Sequence, residues 1–146
     1  DVAYPIHEAL NWHVTRFGAK ARENLEAALF KNEDDSTWQA KLSRSLEEDK
    51  KPYFAPTGNG SRAFLPAVTI GIWYDIAKRH KLIDRLPEWV TVAYQNGDRT
   101  LKSDSRGFGA RAQGLSFWQW VEEFDIPIVL TEGGKKALCL LSHGYA

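Results

Sequence analysis

The chain has 146 residues, 43% of them hydrophobic and 26% charged, which fits one globular domain and excludes wholesale disorder. Its 19 Lys and Arg residues balance its 19 Asp and Glu residues, so net charge does not indicate a nucleic-acid or membrane partner. The single cysteine, Cys139, excludes an internal disulfide framework and fits the cytoplasm, a reducing compartment. No apolar run in the sequence is long enough to span a membrane, so we expect no membrane association.

Residues 1–50 are predicted to form a helical N-terminal region. Apolar residues recur at helical spacing over residues 7–31. After a polar break, Ser36 and Gln39 match a capping box, which predicts a second, short helix over residues 36–46.

Residues 51–114 are predicted to form an accessory region. The Pro- and Gly-rich segment 52–64 indicates irregular, turn-rich structure. Apolar residues at helical spacing over residues 66–82 predict a helix with a basic C-terminal end. Residues 89–102 alternate on either side of an Asn-Gly pair, which predicts a β-hairpin.

A basic segment, residues 99–111, overlaps the end of the predicted hairpin. It holds four cations against one acid, and local charge density is what neutralises phosphates. The candidate nucleic-acid- or phosphate-binding residues are therefore Arg99, Lys102, Arg106 and Arg111. An ordinary solvated loop is the alternative interpretation.

Residues 115–146 are predicted to begin an α/β domain. Ser116 can cap a helix, and the apolar run of residues 126–131 predicts a strand buried in a parallel sheet. Such a strand delivers Glu132 to the carboxyl edge of the sheet, where α/β folds place ligands. The predicted fold class is α/β, with an α+β N-terminal region leading into a parallel sheet that this chain leaves incomplete.

The residues after Glu132 are predicted to form a sharp turn into a helix. Gly133 and Gly134 let the backbone turn without crowding the carboxylate. Lys135 and Lys136 lie near the helix N-terminus, where the helix dipole does not favour cations. We therefore expect one of these lysines to hold a phosphate oxygen beside the exposed amides of the first turn.

Other residues that often carry chemistry are predicted to be structural. Cys139 lies among leucines, which predicts a buried core thiol. Phe117, Trp118 and Trp120 lie at helical spacing, which favours core packing over stacking on bases. None of the 4 histidines is predicted to bind a metal.

The segment around Glu132 resembles the start of a TOPRIM (topoisomerase–primase) domain. A strand ends in Glu-Gly, and a helix of the pattern x-x-Lys-Ala-x-x-Leu-x-x-x-Gly-Tyr follows. The resemblance is to a TOPRIM-like family of uncharacterised function in plasmid and mobile-element replication proteins, linked to primase or helicase modules. It covers residues 50–146, through the segments KKPYFAPTGNGSRAF, AVTIGIWYDIAKRH and GLSFWQWVEEFDIPIVLTEGGKKALCLLSHGYA.

The resemblance implies a catalytic role for Glu132, as general acid/base or as a ligand of Mg²⁺ in phosphoryl transfer. In TOPRIM domains a later Asp-x-Asp pair completes the metal site, and no such pair follows Glu132 in this chain. Many primases also carry Asp where this chain has Lys136. A single carboxylate is a poor Mg²⁺ site. We therefore expect an N-terminal fragment of a primase-like DNA replication protein that is inactive alone and binds Mg²⁺ only as the full-length parent.

Two alternatives stay open. The parent can be a non-catalytic module that keeps a TOPRIM-like fold and binds DNA, RNA or a helicase through its basic residues. The resemblance can also be accidental, which leaves an unrelated α/β domain.

Overall fold

A computed structural model describes residues 10, 27–42, 53–58, 62–103 and 115–146. The described residues form both helices and strands, which confirms the predicted mixture of α and β structure. The chain divides into two compact units, residues 1–32 with 36–64 and residues 33–35 with 65–146. The division into 1–50, 51–114 and 115–146 stays a prediction.

The first unit contains a three-stranded antiparallel sheet in the order β1-β2-β3. Its strands are β1 (Ala27–Lys31), β2 (Thr37–Leu42) and β3 (Tyr53–Phe54). Ala40 and Leu42 alternate along β2 and are buried, so one face of the sheet packs into a small core with Leu10.

The two helices predicted over residues 7–31 and 36–46 are wrong where the structure describes these residues. Residues 27–31 and 37–42 are strands that pair with each other, with a register shift between Phe30 and Lys31. The Ser36 hydroxyl accepts hydrogen bonds from the side chains of Asn32 and Arg62 at 3.2 and 3.3 Å, which accounts for its polarity without a helix cap. Apart from residue 10, the rest of the two predicted helices lies outside the described residues.

The second unit contains the helices. They are α1 (Ile70–Arg79), α2 (Glu88–Gln95), α3 (Phe117–Glu123) and α4 (Gly134–Ser142), with a 3₁₀ helix at Ile83–Arg85. The helices predicted after residue 66, after Ser116 and after Glu132 are confirmed, and Ser116 forms a full capping box with Gln119. In the part of the chain described, no helix has the length and apolar character needed to cross a membrane.

Trp73 on α1 is the centre of the second unit's core. Its side chain is fully buried, and its ring lies 5.5 to 5.8 Å from the rings of Trp89, Phe117 and Trp120. Aromatic pairs at such distances add packing energy to the burial of apolar area. Phe117 and Trp120 are fully buried and Trp118 is half-buried against the same core, which confirms their prediction as core residues.

The β-hairpin predicted over residues 89–102 is wrong, because helix α2 occupies its first arm. Val90 and Ala93 are buried three residues apart, so the segment presents one apolar face at helical spacing. Gly97 has a φ of 87°, and its amide donates to the carbonyl of Tyr94 at 3.2 Å. The Asn-Gly pair therefore ends a helix instead of turning a hairpin.

The strand predicted over residues 126–131 is absent from the structure described. Ile126 is buried, but Ile128 and Leu130 are 52% and 91% exposed. The amide of Val129 donates to the carbonyl of Ala146 at 2.6 Å, and the described residues supply no neighbouring strand for a ladder. A buried parallel strand needs partners on both sides, so this segment stays without strand pairing.

Candidate functional site

The Glu132 turn, residues 131–136, connects this apolar segment to helix α4. Gly133 has a φ of 82°, in the left-handed region that disfavours other residues. Its carbonyl accepts the amides of Lys136 and Ala137 at 3.1 and 3.3 Å. The turn is therefore built by the backbone of a glycine, which leaves the preceding side chain at the surface.

The Glu132 carboxylate is paired with a lysine of the next helical turn. Its side chain is 90% exposed, and Oε1 lies 2.8 Å from Nζ of Lys136. The two residues are four positions apart, and an exposed pair of this kind contributes little stability. The arrangement places an acid and a cation side by side at the surface.

The described residues do not fit Mg²⁺ by themselves. They contain no group of three or more His, Cys, Asp or Glu side chains that could hold a metal ion. Glu132 is paired with the ammonium group of Lys136, which competes with a metal for the carboxylate. No step of a reaction is therefore assigned to Mg²⁺ bound by this chain.

Lys135 and Cys139 are both exposed on helix α4. Lys135 makes no hydrogen bond or ion pair with another described residue, so it is the lysine open to a phosphate. The prediction of a buried Cys139 thiol is wrong. Gly134 and Leu141 are the buried residues of this helix, and Cys139, two residues from Leu141, points to roughly the opposite side.

The first two cations of the basic segment lie on a loop fixed at several points, the clamped loop (residues 97–103). The amide of Gly71 donates to the carbonyl of Arg99 at 2.9 Å, and that of Ile70 to Leu101 at 2.8 Å. Lys102 forms an antiparallel bridge with Thr69. The loop carbonyls thus satisfy amides at the start of α1, which fixes the backbone that carries both cations.

Arg99 is stacked on an aromatic pair at the surface. The rings of Tyr74 and Tyr94 are parallel to within 7° at 3.7 Å, and Cζ of Arg99 lies 4.7 Å from the centre of the Tyr94 ring. Neither Arg99 nor Lys102 forms an ion pair with a described residue. The other two candidate cations, Arg106 and Arg111, lie outside the described residues.

Glu33 is a half-buried carboxylate that sequence analysis did not single out. Its Oε1 accepts the Ser103 hydroxyl at 2.9 Å and the Phe117 amide at 3.2 Å. Ser103 in turn accepts the amide of Val68 at 3.2 Å. Glu33 thus joins the end of the clamped loop to the N-terminus of α3.

Burial raises the pKa of the Glu33 carboxyl above its ordinary value. Hydrogen bonds from four neighbours lower the pKa and so oppose the effect of burial: Ser116, Ser103, Phe117 and Trp118. Desolvation is the larger effect, so the Glu33 carboxyl ionises less readily than the carboxyl of an exposed glutamate. No sequence signal separated Glu33 from the acids beside it, because its partners lie 70 and 84 residues away.

Comparison with known proteins finds similarity without a described activity. Residues 117–146 match a domain of unknown function (DUF3854). Over 117 residues the chain is 36% identical to an uncharacterized protein of Picosynechococcus sp.. That alignment takes in 76% of this chain and 9% of the relative, so the chain spans a small part of the relative's length. No solved structure matches the chain.

Proposed function

We propose that this chain is part of a TOPRIM-like DNA replication protein of plasmids or mobile elements, and that the Glu132 turn belongs to its primase-like catalytic domain. The observation that carries the proposal is the exposed Glu132 carboxylate at a glycine-built turn between an apolar extended segment and helix α4. Residues 117–146, which match the domain of unknown function, include the whole of this turn.

In the proposed reaction Glu132 acts as general acid/base in phosphoryl or nucleotidyl transfer, or as one ligand of Mg²⁺ in the full-length parent. An exposed carboxylate at a surface turn can reach a proton on an attacking hydroxyl. Lys135 is proposed to hold a phosphate oxygen beside the first-turn amides of α4. The remaining Mg²⁺ ligands are proposed to come from the parent, which acts in the cytoplasm on DNA or RNA with a helicase module.

The test is the variant Glu132→Gln in the full-length parent, measured as metal-dependent nucleotide incorporation on a DNA template. The amide keeps the size of the side chain but neither takes up a proton nor binds Mg²⁺ well, so we expect a loss of about 100-fold or more. Glu123→Gln is the matched control, because Glu123 is an exposed acid at the end of α3. Unchanged activity in Glu132→Gln excludes the catalytic role.

The second candidate function is a non-catalytic module that binds nucleic acid. The observation in its favour is the clamped loop, where Arg99 and Lys102 are exposed, fixed by their backbones and without an acidic partner among the described residues. Cations held in this way can neutralise phosphates at a low cost in side-chain and loop entropy.

Binding of this 146-residue chain to DNA across a salt series tests the second function. Two phosphate contacts on a single strand predict that log affinity falls with log salt with a slope of about −1.4. Charge reversal at one of the two positions, Lys102→Glu, is expected to weaken binding and flatten the slope. A salt-independent affinity rules out phosphate contact as the basis of binding.

A further inference from the structure

We infer that Arg99, stacked on Tyr94 and Tyr74, is a platform for a base of single-stranded nucleic acid. The inference rests on the nucleic-acid binding proposed above and names the form of nucleic acid that is bound. It depends on the geometry of the stack, on the rigidity of the loop and on the chemistry of guanidinium.

Arg99 lies over the Tyr94 ring and is exposed to solvent. Tyr74 covers one face of the Tyr94 ring at 3.7 Å, so Arg99, 4.7 Å from the ring centre, lies over the other face. Both tyrosines are half-buried and pack against the core of the second unit, whereas Arg99 is exposed. The solvent side of the Arg99 guanidinium group is therefore open to a second planar group.

The backbone at Arg99 is held close to helix α1. The amide of Gly71 donates to the Arg99 carbonyl at 2.9 Å, and a Cβ at position 71 would lie only 3.2 Å from that oxygen. Glycine at position 71 thus permits the close approach that fixes the loop. Because the backbone and the Tyr94 ring are both in place beforehand, a base that stacks on Arg99 orders little more of the protein.

The chemistry of this platform fits an unpaired base with its phosphate. A guanidinium plane stacks on any base, and its N–H edges donate to phosphate oxygens in the same plane. Lys102 follows three residues later and supplies a second phosphate contact within about 10 Å of chain. The bases of a duplex are stacked on each other, so a duplex offers phosphates to these cations but no free base face.

The test compares a fluorescently labelled oligothymidine with a labelled duplex of equal length, by anisotropy with the 146-residue chain. The decisive variant is Arg99→Lys, which keeps the charge and loses the plane. Arg85→Lys is the matched control, because Arg85 is an exposed arginine of the same unit that pairs with Asp84. Thermal melting of each variant establishes that the fold is retained.

We expect the single strand to bind more tightly than the duplex, and Arg99→Lys to weaken single-strand binding at least about five-fold with an unchanged salt slope. Duplex binding and the control variant are expected to match the original chain. Equal affinity for the two probes, or a neutral Arg99→Lys, overturns the stacking platform and leaves phosphate binding intact. If neither probe binds at low salt, both the platform and the nucleic-acid binding on which it rests are overturned.

Discussion

At the scale of single residues, the Glu33 carboxylate links distant segments of the chain through hydrogen bonds. Its burial at the same time disfavours its charged form. Its Oε1 accepts hydrogen bonds from Ser103 and Phe117, yet burial raises the pKa of the carboxyl. The folded protein therefore binds this proton more readily than the unfolded chain does. The stability that the neutral acid provides is complete below the ordinary pKa of 4.5 and is lost as pH rises through the raised value.

The variant Glu33→Gln tests this balance. The amide oxygen still accepts from Ser103 and Phe117, but the side chain does not ionise. We expect the free energy of unfolding of the variant, relative to the original chain, to increase as pH rises above 4.5 and then to level off. Denaturant titrations at several pH values measure it, with the exposed Glu122→Gln as control. A difference that does not vary with pH contradicts the pKa assignment.

At the scale of elements, the segment 126–131 combines one buried anchor with an exposed apolar stretch. Ile126 is 5% exposed and packs in the core, whereas Leu130 is 91% exposed. The amides of Ile128 and Leu130 make no hydrogen bond to other described residues. The segment is thus held at its first residue and carries the Glu132 turn at its end.

Two substitutions in this segment are expected to differ in their effect on stability. Ile126→Ala removes a buried side chain and is expected to lower the free energy of unfolding by about 2–5 kcal/mol. Leu130→Ser changes an exposed position and is expected to stay within about 0.5 kcal/mol of the original chain. Equilibrium unfolding of the 146-residue chain measures both. An equal loss in the two variants means that Leu130 is packed.

At the scale of the whole molecule, three of the four described helices follow from local sequence signals. Helices α1, α3 and α4 carry apolar residues at helical spacing, and α3 begins at a capping box formed by Ser116 and Gln119. The elements that were mispredicted, β1, β2 and α2, are five to eight residues long. Over such lengths, alternation and helical periodicity are hard to separate, and the partner segment decides the outcome.

The residues of the candidate site also divide into those that the sequence predicts and those that it does not. The positions of Glu132, Gly133 and the two lysines that follow could be predicted, because they depend on a turn within one continuous stretch of chain. Glu33 forms hydrogen bonds with residues that lie 70 and 84 positions away in the sequence, and no pattern in a single sequence encodes such contacts. The same holds for the stacking of Arg99 on Tyr94, which required that residues 89–95 be helical.

The sequence by itself determined the class of structure, helices α1, α3 and α4 and the glycine turn that carries Glu132, because each is set by residues within a few positions of one another. Tertiary structure alone decided that Cys139 is exposed, that the clamped loop is fixed to α1 and that Glu33 is half-buried. Burial and long-range hydrogen bonding depend on which surfaces meet in the folded chain, and local spacing does not specify that choice.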